Sequence, residues 1–134
     1  GLAAVHETWA PTKGACAGAK NVADLAEILA GYQLSTGGLT WNSLCLQEGV
    51  GNETTQETAF ALLALKEADR TRHLDRIRRA SEYLKRSQLS TGGWEDSPGM
   101  GEYNQLTGEA LWAIGEAEKI PSEGLQSDSS PSAP

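Results

Sequence analysis

Residues 33–38 read QLSTGG, and residues 88–93 read QLSTGG again, identical at all six positions. A hexapeptide that returns unchanged 55 residues later marks an internal duplication, and a duplication sets the fold before any single element does. A second pair of segments follows it. ETTQETAFALLALKEA from Glu53 aligns with EYNQLTGEALWAIGEA from Glu102 at an offset of 49. The alignment matches Gln56 with Gln105, Thr58 with Thr107, Ala61 with Ala110, Leu62 with Leu111 and Glu67 with Glu116. The two offsets differ because the intervening loop runs over residues 39–52 in the first copy and only over 94–101 in the second.

Each copy reads as two helices. Val22, Leu25, Ile28, Leu29 and Tyr32 fall at the three- and four-residue spacings of one helix face, and Asn21 before them is a suitable N-cap. The corresponding helix of the second copy carries Leu74, Ile77, Ala80, Tyr83, Leu84 and Ser87. Both run into a Gly-Gly pair, which ends a helix by admitting backbone angles that other residues resist. The second helix of each copy is alanine-rich, with Ala59, Ala61, Leu62, Ala64, Leu65 and Ala68, then Ala110, Leu111, Ala113, Ile114 and Ala117. Small residues on several faces suit an inner helix packed closely against more than one neighbour. The expected fold class is therefore all-α: two αα-hairpin repeats over residues 21–120, about four helices, with repeat 1 over 21–70 and repeat 2 over 74–120. Residues 1–20, with Pro11 and three glycines, read as an irregular lead-in. Residues 121–134 read as a disordered Ser/Pro-rich tail or linker, too poor in apolar groups to fold.

Composition narrows the function. The chain has 134 residues, a hydrophobic fraction of 39% and a net charge of −7, a balance that speaks against a nucleic-acid partner. The charge is uneven. Residues 66–86 hold eight of the eleven basic residues against four acids. Arg70, Arg72, Arg76, Arg78, Arg79, Lys85 and Arg86 therefore read either as a solvated helix face interlaced with its own acids, or as a strip for phosphate or anionic lipid headgroups. Cys16 and Cys45 would form one disulfide in an oxidising compartment or stay as two thiols in a reducing one. With His6 and His73 they show no metal-ligand spacing, so no metal and no cofactor is expected.

The run Gln88, Gly92, Gly93, Trp94 resembles the Q-x-x-x-G-G-W motif of the squalene-hopene and oxidosqualene cyclases, whose superfamily includes the protein prenyltransferase β subunits. TTQETAFALLALKEA is similar to the Ala/Leu helix of those cyclases, and RRASEYLKRSQLSTGGWED is similar to the segment that carries the motif. The match covers about a hundred residues and is best with the C-terminal portion of a cyclase. It implies an α/α toroid, here a partial one. In the family the motif is structural, and elementary chemistry agrees: a Gln amide suits orphan backbone groups at neighbouring helix ends, Gly-Gly makes the turn, and the Trp staples outer helices. Gln33, Gly37, Gly38 and Gln88, Gly92, Gly93, Trp94 are thus expected to fasten helix ends. The first copy departs from the pattern, with Leu39 in the Trp position and Trp41 two residues later as its substitute.

The resemblance does not bring a catalytic acid with it. The cyclases protonate their isoprenoid with a D-x-D-D aspartic acid, and no such motif occurs; WEDS at residues 94–97 is the nearest acidic pair. The D-x-C zinc spacing of the prenyltransferases and the G-C-G-E-Q thioester motif of complement domains are also missing. No catalytic residue is expected. The remaining candidates sit at or near the inner-helix starts: Glu53, Glu57, Glu102, Tyr103, Asn104 and Glu109, as an ion site or as helix-dipole partners. Phe60, Trp112 and Tyr83 could face an isoprenoid through cation–π contact or serve as plain core.

The expected function is a repeat module of a cyclase-like toroid, contributing scaffold and part of an isoprenoid or other apolar cavity. A ring would need further repeats of a longer chain, or self-association. The alternative from another class is a non-catalytic binding or structural domain of a larger secreted or surface protein. Location follows the reading: cytoplasmic or peripheral to a membrane if cyclase-like, extracellular if Cys16 and Cys45 are paired.

Overall fold

A computed structural model describes residues 18–40 and 53–121. His6, Cys16, Trp41, Cys45, most of the lead-in and residues 122–134 of the tail lie outside the described residues. Within them the chain is all-α, with α1 over Val22–Gly31, α2 over Thr55–Asp69, α3 over Leu74–Arg86 and α4 over Asn104–Glu118. α1 and α2 form the first hairpin and α3 and α4 the second. The two inner helices, α2 and α4, make the most extensive pairing, and α2 also packs against both outer helices.

Each start and stop has a local cause. Asn21 stands in extended backbone and its side chain accepts the Asp24 N–H at 2.9 Å, which caps α1. At the other end of that helix the N–H of Tyr32 donates to the Leu29 carbonyl, and the chain passes into the first QLSTGG turn. Between outer and inner helix the backbone touches itself through isolated antiparallel bridges, Leu39 with Thr54 and Glu95 with Glu102.

One core runs through all four helices and includes Trp94. Seven of its twelve buried residues are alanines, so the helix backbones approach closely. Ile77, Ala80 and Leu84 on α3 are buried as the periodicity predicts. On α1 the predicted stripe is only half-buried: Val22, Leu25, Ile28, Leu29 and Tyr32 flank the contact, and Ala26 and Ala30 make it. The physical reason is steric. The smallest residues sit where the helix surfaces are nearest, and the bulkier ones spread to either side.

Candidate functional site

The QLSTGG turn is built identically twice. In the first copy Leu34 N–H donates to Gly38 O and Gly37 N–H to Leu34 O, each at 2.8 Å; in the second, Leu89 pairs with Gly93 and Gly92 with Leu89 at the same distances. Gln33 Nε2 donates to Gly37 O and Gln88 Nε2 to Gly92 O, both at 2.8 Å. Gly37 and Gly92 share a φ of 98°, a conformation that side chains with a Cβ resist.

The inner helices hold these turns from the other side. Thr36 donates to Glu53 and Thr91 to Glu102. Leu39 N–H donates to Thr58 Oγ1 and Trp94 N–H to Thr107 Oγ1, both at 2.9 Å. Leu39 itself fills the position of Trp94 and is buried; Trp41, the expected substitute, lies outside the described residues. Trp94 is buried, and its Nε1–H donates to Leu84 O at 2.8 Å. The indole thus bonds to the outer helix of its own repeat.

The copies differ in what lies beyond them. Gln33 Nε2 also donates to Arg76 O in the first turn of α3, at 2.9 Å. That carbonyl is not an orphan at a helix end as expected; a spare lone pair serves as the acceptor. A Cβ on Gly37 would collide with the Arg79 carbonyl, so the turn is seated on the α3 backbone. Three arginines of α3 then close over the end of α1. Arg76 Nη1 donates to Ala30 O at 2.7 Å, Arg79 Nη2 to Leu34 O and Ser35 O at 3.4 and 3.3 Å, and Arg86 Nη2 to Thr36 O at 2.7 Å. A helix C-terminus gathers partial negative charge on unpaired carbonyls, and guanidinium groups complement it. The second repeat also reaches back to the inner helix. Asp96 Oδ1 accepts Gln56 N–H at 3.1 Å and Asp96 O accepts Thr55 N–H at 3.0 Å, completing the α2 N-terminus.

In sequence these arginines read as part of a basic strip and Asp96 as part of an acidic pair, but neither pattern discloses their roles in the joint. The signal was present: positions 76, 79 and 86 share one helical face, whose partner no local pattern could name. The rest of the basic strip is also engaged with acids in part. Arg72 bonds Glu27, which lowers that carboxyl's pKa and raises the guanidinium's. Lys85 meets Glu118 at 2.6 Å and is raised by that bond, while Glu118 is lowered. Lys119 at 2.8 Å and Lys66 at 2.6 Å hold Glu116 down to about 2.

The acids proposed for an ion site are dispersed. Glu53 and Glu102 each face the threonine of their own turn, Glu57 takes the Thr54 hydroxyl, and Glu109 accepts from Gln56 at 3.2 Å and Gln105 at 3.0 Å. No group of three His, Cys, Asp or Glu suited to a metal forms among the described residues. Tyr103 and Asn104 border an open pocket of about 490 Å³ at the start of α4, together with Gln56, Asp96, Met100 and Gln105. Phe60, Tyr103, Leu111 and Trp112 are exposed, and Tyr83 is half-buried beside the core, its pKa raised by burial and then by the charge of Glu53.

No protein-family model, curated protein or solved structure matches the chain.

Proposed function

We propose that this chain is a stacking module of an α/α-toroid protein of the squalene-hopene cyclase kind, providing wall and joints and no catalytic acid of its own. The observation that carries the reading is the first QLSTGG turn, which bonds simultaneously to its own repeat and to the outer helix of the next. Such a joint passes load from repeat to repeat, as a quasi-one-dimensional array requires. Exposed Phe60 and Trp112 on the inner helices support a second element of the reading: a surface for an isoprenoid or other apolar ligand.

The test is incubation of the full chain with squalene and with a fluorescent polyprenyl analogue. We expect no cyclised hydrocarbon, and saturable probe binding that weakens about tenfold in Trp112→Glu. A cyclised product would overturn the scaffold role, and binding indifferent to Trp112 would remove the ligand surface.

A further inference from the structure

We infer that the flank formed by the second QLSTGG turn and the start and outer side of α4 receives a third αα repeat, one with an arginine-bearing outer helix followed by an acidic loop, supplied neither by these 134 residues nor by a second copy of them.

The molecule carries its own template for this interface. Three of the contacts between repeat 2 and repeat 1 matter here: arginines over the turn carbonyls, Asp96 on the α2 N-terminus, and α4 against the side of α2. At the far edge of repeat 2 each receiving feature recurs with nothing in it among the described residues. The Gly92 turn has the φ of Gly37, yet a Cβ there would meet nothing within 4 Å, where at Gly37 it meets the Arg79 backbone. Gln88 lacks the second acceptor that Gln33 finds, and the carbonyls of Ser90 and Thr91 receive no hydrogen bond among the described residues, where those of Ser35 and Thr36 receive Arg79 and Arg86. At α4 the N–H groups of Asn104 and Gln105 have no cap among the described residues; their counterparts Thr55 and Gln56 have Asp96. On the helix side Ala59 is buried where Gly108 is exposed.

The chemistry of the missing partner follows from this. Carbonyls at a helix end call for cations, and forked guanidinium groups reach two carbonyls at once, as Arg79 does. An uncapped helix start calls for a carboxylate. All six arginines of the chain lie between residues 70 and 86, and segments 1–17, 41–52 and 122–134 contain none. A second copy offering its first repeat would bring α1, where Asn21, Asp24 and Gly31 stand in place of Arg76, Arg79 and Arg86, and Trp41 stands in place of Asp96. Asp24 would then face carbonyl oxygens. The triad of a second copy's α3 is already closed over its own first turn. The partner is therefore a different repeat.

This rests on the stacking role proposed above. Squalene turnover would sink that role without touching the clasp, and the following experiment can sink the clasp alone. A second copy of residues 70–118 is inserted after Glu118 of the full chain, which places a native arginine helix and Asp96 in register with the open edge. Amide hydrogen exchange is followed at residues 88–93 and 104–105. We expect exchange at least about tenfold slower than in the parent, with the slowing at 88–93 lost when the inserted Arg76, Arg79 and Arg86 are changed to Ser. Changing only the inserted Asp96 to Ala, which removes the side-chain acceptor and keeps the main-chain carbonyl, should speed exchange at 105 and leave 88–93 protected. Absence of added helicity, absence of protection, or protection indifferent to the arginines overturns the inference. A parent chain that forms dimers or trimers by light scattering, dispersed by Leu111→Arg, also overturns it by making the occupant a second copy.

Discussion

Leu62 and Leu111 hold the same position in the two inner helices, yet Leu62 is 0% exposed and Leu111 is 55% exposed. The difference is neighbourhood alone, because α4 covers α2 and nothing among the described residues covers the matching side of α4. Leu62→Ala should therefore cost about 2–5 kcal/mol, the loss of a buried side chain with an unfilled cavity. Leu111→Ala should stay within about 0.5 kcal/mol. Urea denaturation of both variants checks this, and similar losses would contradict the asymmetry.

The glycines give a second matched pair. Gly37 and Gly92 share φ 98°, so alanine at either place bears a left-handed backbone cost of about 1–2 kcal/mol. At Gly37 the new methyl also collides with the Arg79 carbonyl, whereas at Gly92 it enters open space. We expect Gly37→Ala to lose at least about twice as much stability as Gly92→Ala. Equal losses in chemical denaturation would mean that the first turn is not seated on α3.

Trp94 tests the bond inside the second repeat. Trp94→Phe retains most of the apolar volume and removes the indole donor from the Leu84 carbonyl, which keeps the Ser87 N–H and hydroxyl, a loss of about 0.5–1.5 kcal/mol. Trp94→Ala should cost about 3–5 kcal/mol. A Phe variant as stable as the parent would show that the Nε1–H bond contributes nothing net.

Acid should loosen the surface in a defined window. The Glu116 carboxyl is held at about 2 against an ordinary 4.5, by Lys119 and then Lys66. Because its folded value is depressed, its contribution is complete above pH 4.5 and disappears as pH falls through about 2. Glu118 and Glu27 shift in the same direction. The groups are solvent-facing, so the effect is small and screened by salt. Thermal midpoints measured from about pH 5 down to about pH 2 should fall less steeply in Glu116→Gln than in the parent. Parallel curves would count against the Lys66–Glu116–Lys119 cluster.

The sequence made the repeats legible because a duplication displays itself without any contact being known. The identical hexapeptides and alanine-rich helices foretold four helices in order, and Asn21 foretold its cap. The joint was only half legible. Gln33, Gly37 and Gly38 stood out by recurring, whereas Arg76, Arg79 and Arg86 did not recur and were hidden in a run of charges that also suits a solvated face. Their role depends on a carbonyl-rich turn more than 40 residues away. Leu39 was illegible for the opposite reason: it broke the pattern in letters and kept the position in space.

Asp96 gives the array a direction. The first inner helix obtains the cap for its N-terminus from the repeat that follows it in the chain, so a nascent α2 emerges with its leading N–H groups unmet until some 40 residues more have been made. Each repeat is thus finished by its successor. In such a chain consolidation travels backwards, from the later repeat to the earlier, and the last repeat in line is always the first to fray.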